Sequence, residues 1–251
     1  MVETLSGRAR ELFAPLGPSY DRYARLLSFG QDPIWRRFLV SRVPVGPDDV
    51  VLDVATGTAA VALELIRQKG CSVVGVDQSA EMLDEARRRL VLAAETKRVR
   101  LVEASASKLP FEDASFDGLT AAYLMRYLDD LPAGLRELAR VLRPGATASL
   151  LDFGVPPAPV PRAAWNLYVD LGLPLLGRAI SPGWHEVGRF LGGSIRGFDE
   201  RWPVPKLLQA WREAGFEDPR ARRLSLGGCL VIRAGPRRRG SRRGSAAADD
   251  Q

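Results

Sequence analysis

Asp53 ends an apolar run, Val50-Val51-Leu52, and a turn of small residues follows it, with Ala55, Gly57 and Ala59 at alternate positions before an apolar-periodic segment runs to Ile66. Such a stretch reads as strand, tight loop and helix, a junction suited to holding a ligand. The acid decides which ligand. Helix N-termini attract phosphate through their N–H groups and their dipole, and a carboxylate placed beside them opposes that attraction. The three spaced glycines of a dinucleotide-binding turn are also missing, since only Gly57 is present. A cationic ligand without phosphate fits better.

S-adenosylmethionine has that form, with an ammonium, a sulfonium and an adenosine. Gly57 lets the backbone approach its amino-acid tail, and Asp53 attracts the ammonium directly or through a water. A second acid, Asp77, ends the apolar run Ser72–Val76 twenty residues after Gly57. A carboxylate at that place can accept both hydroxyls of a ribose. Gln78 or Met82 is a candidate cover for the adenine, and the loop Ser105–Phe111 offers Ser105 Oγ as acceptor and the Ala106 N–H as donor. Asp77 alone also suits a nicotinamide-dependent oxidoreductase, an alternative that the single glycine disfavours.

The elements that must position these groups alternate along the chain. Apolar strands are expected at 50–53, 72–77, 99–104, 118–125 and 147–153. Ser79 is the expected N-cap of a helix over 80–92, and a helix over 131–142 is stopped by Arg143-Pro144-Gly145. This alternation predicts an α/β fold with a parallel, doubly wound sheet and right-handed crossovers. Open sheets of this kind bind ligands beyond the carboxyl ends of their strands, which places the segment from Tyr123 to Tyr127 over the reaction site.

Outside the sheet, residues 10–40 read as interrupted helices rich in aromatics, and the adjacent Tyr20 and Asp21 make this region a candidate lid. The proline-rich stretch 154–161 leads to an apolar segment over 165–176, broken at Gly172 and Pro174, which is expected to roof a hydrophobic substrate cavity. Helices over 186–195 and 204–214, then a hairpin turning at Gly227-Gly228, complete the chain. The expected organisation is a helical lid over 1–45, a cofactor-binding domain over 46–235 with a cap insertion over 155–200, and a disordered basic tail over 236–251.

At 251 residues, with 46% hydrophobic residues, the chain suffices for one substantial domain. Two cysteines, Cys71 and Cys229, and a single histidine give neither a disulfide framework nor zinc-ligand spacing. With no secretory signal pattern and no apolar run of about 18 residues, a soluble, cytoplasmic protein is expected. Five arginines and two aspartates after Pro236 account for half of the net charge of +6, so the body is only mildly basic and specific nucleic-acid binding is not expected.

Together these features resemble the class I S-adenosylmethionine-dependent methyltransferases, and more closely the ubiquinone/menaquinone C-methyltransferase family, over residues 15 to 234. Tyr20, Asp21, Leu27, Ser28 and Trp35 match its first signature, while Tyr23, Ala24 and Asp32 stand where the family has Met, Asn and His. Arg140-Val141-Leu142-Arg143-Pro144-Gly145 matches the second, after which Ala146, Asp152 and Gly154 depart from it. The resemblance implies a Rossmann-like sheet of seven strands with the last antiparallel, a small helical cap, and S-adenosylmethionine held by Asp53, Ala55, Gly57, Asp77, Gln78, Ser105, Ala106 and Tyr123. It implies C-methylation of a prenylated hydroquinone. Arg126, which aligns with the family's arginine after the fourth strand, then lies near the developing phenolate, and Tyr20, Asp21 or His185 assists proton loss. A transient contact with the inner membrane face, and self-association, would be compatible with such an acceptor. Two further alternatives are a natural-product or lipid methyltransferase and an inactive cofactor-binding scaffold, the latter suggested by Ala59 and Ser105.

Overall fold

The computed structural model describes residues 4–236. Seven strands, β1 (Val50–Val54), β2 (Ser72–Asp77), β3 (Val99–Glu103), β4 (Phe116–Ala122), β5 (Leu142–Phe153), β6 (Phe216–Leu224) and β7 (Cys229–Pro236), form one sheet in the order β3-β2-β1-β4-β5-β7-β6. The first five are parallel, and β7 runs antiparallel between β5 and β6. The expected seven-stranded α/β sheet with its antiparallel last strand is present.

Sequence dictates how the sheet is covered. Side chains alternate across β1, so Leu52 and Val54 join one buried cluster while Val51 joins another. The first cluster packs under α6 (Leu131–Arg140) and α10 (Val204–Glu213), through Leu135, Leu138, Leu207 and Trp211. The second packs under α3 (Gln31–Ser41), α4 (Ala60–Lys69) and α5 (Ala80–Leu92), through Leu39, Leu65 and Ala86. Ser79 caps α5 by accepting from the Met82 N–H, as its position predicts.

Three boundaries differ from the sequence reading. Helix α6 stops at Arg140 because Leu142 already pairs with Phe116 in the sheet; Arg143-Pro144-Gly145 lies in the irregular first part of β5, where Gly145 has φ +86°. Strand β4 ends at Ala122, since Tyr123 turns the chain with φ +61°. The cap helix, expected over 186–195, is α9 (Pro182–Arg201), started by a Ser181 hydroxyl that accepts from the Trp184 N–H.

Two helical groups sit over the carboxyl ends of the strands. One is α1 (Leu5–Phe13), a tight turn, α2 (Tyr20–Leu27) and then α3. The other is α7 (Pro159–Leu167), a widened turn over Tyr168–Gly172, α8 (Leu173–Ile180) and α9. They meet in a small core of Leu16, Leu27, Leu173, Trp184 and Val187. Helices α8 and α9 touch backbone to backbone: a Cβ on Gly177 would lie 2.3 Å from the Trp184 carbonyl oxygen. The expected tail after Pro236 lies outside the described residues.

Candidate active site

A cavity of about 420 Å³ lies between the strand ends and the two helical groups. The loop after β1 forms its floor. Ala55, Gly57 and Ala59 all adopt left-handed backbone, with φ of 55°, 54° and 64°. This is the conformation three alternating glycines would take, and alanine is held in it at a cost of about 1–2 kcal/mol per residue. The Thr56 N–H donates to the Val76 carbonyl at 2.9 Å and the Gly57 N–H donates to Asp77 Oδ2 at 2.8 Å, tying the loop to the end of β2. Beyond its own chain neighbours, no atom lies within 4 Å of where a Gly57 Cβ would be, so the loop opens onto free space at that residue.

Asp77 lines the cavity, and its Oδ1 accepts from the Ser79 N–H at 3.0 Å. Burial raises its pKa against the opposing effect of these N–H groups. An ionised carboxylate has about four acceptor positions, so Asp77 keeps capacity for a ligand's hydroxyl beyond its backbone partners. Gln78 also lines the cavity, but its amide donates to the Ser6 carbonyl at 3.0 Å and so pins α1 above the loop. As a result α1 contributes Ala9, Arg10 and Phe13 to this end of the cavity, residues the sequence did not single out as ligand contacts.

Three expectations about this end need correction. Asp53 is buried and does not line the cavity; Thr56 Oγ1 donates to its Oδ2 at 2.6 Å and Thr120 Oγ1 to its Oδ1 at 2.7 Å. Burial, opposed by these hydroxyls, pushes its pKa up to about 6. Its carboxylate therefore sits behind the loop, held by the two threonine hydroxyls. Ser105 is exposed, with its Oγ accepting from the Ser107 N–H at 3.2 Å, and neither it nor Ala106 lines the cavity. This end of the cavity is walled by Gln78, Met82 and α1.

The opposite end is aromatic and contains two buried ion pairs. Arg126 donates from Nε to Asp152 Oδ1 at 2.8 Å, and its guanidinium stands 4.6 Å over the Tyr127 ring and 5.2 Å over the Phe153 ring. Its Nη1 and the neighbouring Tyr127 hydroxyl have no hydrogen-bond partner beyond each other among the described residues, although both are buried and both residues line the cavity. A buried polar group left unpaired costs about 1–3 kcal/mol, which a bound oxygen would offset.

The second pair is Asp32–Arg36 on α3, with Arg36 Nε to Asp32 Oδ2 at 2.8 Å. Tyr123 donates its hydroxyl to Asp32 Oδ1 at 2.7 Å and stacks on Phe153 at 4.5 Å. Burial and the Asp32 carboxylate raise the Tyr123 pKa, so this phenol stays protonated. Tyr123, Asp32 and Arg36 all line the cavity. Sequence reading noted Asp32 only as a departure and passed over Arg36; their i, i+4 spacing, with the acid first, was the available signal.

The proposed proton acceptors fare differently. Tyr20 lines the cavity, stacked on Trp184 at 6.1 Å, but burial drives its phenol far above the ordinary value and leaves it a donor, not a base. Asp21 is outside the lining. It accepts from Thr58 Oγ1 at 2.6 Å and pairs with Arg89, latching α2 onto the cofactor loop and α5. His185 is also outside, because its position on α9 puts Nδ1 3.0 Å from the Pro174 carbonyl in the α8–α9 contact. Asp21 and His185 therefore have structural partners, not a reacting group.

Comparisons with known proteins agree with this geometry. The model of the ubiE/COQ5 methyltransferase family matches residues 1–235. The chain is 38% identical to the demethylmenaquinone methyltransferase of Thermus thermophilus, covering 86% of this chain and 96% of that one. It is 35% identical to the ubiquinone/menaquinone biosynthesis C-methyltransferase UbiE of Geobacter sp. strain M21, over 85% and 89% of the two chains. Among solved structures, the [4+2]-cyclase SpnF superposes with a TM-score of 0.66 at 16% identity, covering 94% of this chain and 97% of that one. A SAM-dependent methyltransferase from Aquifex aeolicus gives 0.53 at 19% identity, covering 84% and 92%. These distant structures share the fold alone. The extent of the family match and of the curated relatives, together with a cavity floor of left-handed small residues beside Asp77, places the chain in the ubiE/COQ5 methyltransferase family as an S-adenosylmethionine-dependent methyltransferase.

Proposed function

We propose that this enzyme methylates a ring carbon of a prenylated hydroquinone of the demethylmenaquinol type. The observation that carries this reading is the buried pair of donors, Arg126 Nη1 and the Tyr127 hydroxyl, left without a partner beyond each other at the aromatic end of the cavity. An acceptor suited to that end is flat and apolar with one oxygen to bind, and a quinol ring meets both conditions. The relatives named for demethylmenaquinone and ubiquinone/menaquinone methylation support the same choice.

When bound, S-adenosylmethionine supplies an electrophilic methyl: the carbon–carbon bond forms as the methyl–sulfur bond breaks, with that electron pair passing to sulfur. Asp77, the Gly57 backbone and the walls formed by Gln78 and α1 hold the cofactor. Asp53, behind the loop, would add a favourable negative potential for a cationic group bound there. Arg126 and Tyr127 bind the acceptor's oxygen and stabilise the charge that grows there as its proton leaves, which raises the nucleophilicity of the ortho carbon. Tyr20, Trp184, Phe153 and Trp35 line the cavity, orient the ring and exclude water. Asp32, whose carboxylate lines this end of the cavity and accepts from the Tyr123 hydroxyl, is the group available to take up the proton.

The direct experiment supplies purified full-length protein with methyl-labelled S-adenosylmethionine and a demethylated prenyl quinol. Label on the ring carbon is the expected result. Absence of ring methylation from protein that still binds the cofactor would reject the quinol assignment.

A further inference from the structure

Behind one wall of the active-site cavity lies a second, more open cleft of about 1000 Å³, formed where α2, α3, α4 and α5 converge. Asp32 and Arg36 line both compartments, and both are buried, so this ion pair separates the cleft from the acceptor end. A ligand in the cleft is therefore outside the site already described.

The cleft is strongly basic. Six arginines and three carboxylates line it, an excess of three positive charges. Each carboxylate is already engaged: Asp21 pairs with Arg89 and accepts from Thr58, Asp32 holds Arg36 at 2.8 Å, and Glu64 accepts from Arg67 Nε at 2.9 Å and from Gln68 at 2.6 Å. Arg22 and Arg25 on α2 and Arg37 on α3 are exposed, with no carboxylate within ion-pair distance among the described residues. The Arg22 guanidinium lies 5.6 Å from the Tyr23 ring centroid, a contact that limits its rotamers without supplying a counter-charge. Like charges gathered in a concave surface repel one another, and the walls of a cleft focus their shared field. Arg22 and Arg25, at i, i+3 on one helix, are an unfavourable pair in their own right. An anion between them relieves both costs.

We propose that the cleft binds a soluble anion carrying a diphosphate group, with Arg22, Arg25 and Arg37 as its ligands. A guanidinium fork meets phosphoryl oxygens two at a time, and three forks on two helices suit two linked phosphoryl groups better than one small anion. The paired arginines have a different part. Arg89 ties α2 to α5 through Asp21, and Arg36 is fixed on α3 by Asp32, which also holds Tyr123, so the walls are set before an anion arrives. The site is independent of the quinol assignment, since neither cofactor nor acceptor takes part in the binding.

The test is calorimetric titration of the full chain with inorganic diphosphate at physiological ionic strength, without cofactor. Saturable one-to-one binding is expected, tighter than that of inorganic phosphate. The variant R22Q/R25Q is altered only at exposed side chains outside the active-site lining; it should bind diphosphate about tenfold more weakly and keep the parent's affinity for S-adenosylmethionine. The variant R136Q/R212Q removes the same charge from exposed positions outside the cleft and should bind diphosphate as the parent does. Absence of saturable binding would overturn the proposal. Equal losses in the two variants would also overturn it, by tracing the binding to net charge. Parent-like binding by R22Q/R25Q would do the same, by moving the anion to the arginine-rich segment after Pro236 or to the active-site cavity.

Discussion

Tyr123 and Asp32 are 91 residues apart in the chain, and their side chains meet in a 2.7 Å hydrogen bond on the wall of the cavity. The contact joins the end of β4 to α3, and Arg36 completes it by pairing with the other Asp32 oxygen at 2.8 Å. Tyr123 holds φ +61°, a conformation that persists only where surrounding contacts over-determine it; here they are the Phe153 stack and the Asp32 hydrogen bond.

Removing the shared acid should therefore cost more than removing the phenol. Asp32→Asn leaves Arg36 buried without its counter-charge, and a loss of about 3–5 kcal/mol is expected. Tyr123→Phe removes one hydrogen bond to a charged group, worth about 1.5–3 kcal/mol. Denaturant unfolding of both single variants and the double variant measures this; the double should fall short of the sum, since the two groups share one bond.

Arg126→Met should separate acceptor binding from cofactor binding. It removes the buried donor at the aromatic end, and activity on the quinol should drop by about 10²–10³-fold, the size typical of losing one stabilising donor to a developing oxyanion. Affinity for S-adenosylmethionine by calorimetry should hold within about twofold, because Arg126 lies at the opposite end of the cavity from Asp77. Equal losses in both measurements would assign Arg126 to the fold of the whole site instead.

Asp53 makes cofactor affinity depend on pH. Its carboxyl titrates near 6, so affinity for the cationic cofactor should rise as pH increases through that value and the negative charge forms. Stability follows the opposite sign. The folded protein holds the Asp53 proton to a higher pH than the unfolded chain does, so between about 4 and 6 stability should fall as pH rises. Asp53→Asn should remove both slopes. Calorimetric titrations and chemical denaturation across that range check the two signs separately.

The cofactor loop predicts a stabilising substitution. Ala55 is half-buried with φ +55°, and Ala55→Gly should raise stability by about 1 kcal/mol by releasing left-handed strain. Ala59→Gly relieves the same strain but deletes a fully buried methyl, worth about 0.8 kcal/mol, and a near-zero net change is expected. A comparison of the two melting curves tests the balance.

The sequence by itself determined the sheet and its cofactor edge. Strands such as β1 and β2 are buried on both faces and read as unbroken apolar runs, and the acids that end them announce their own position. Ser79 as a cap and the small residues of the loop are equally local signals, legible because each rests on neighbours a few positions away. Tertiary structure alone decided which polar groups face the cavity. Asp21 and His185 looked reactive as isolated residue types, yet one latches a helix and the other rests on a carbonyl. Asp53 turned inward to two threonines, one of them on a neighbouring strand, and Ser105 stayed outside. Arg36 became a wall residue because α3 packs against the end of β4. Strand and helix formation depend on short-range periodicity, whereas the direction and pairing of a buried charge depend on partners tens of residues away, and only the assembled fold brings those together.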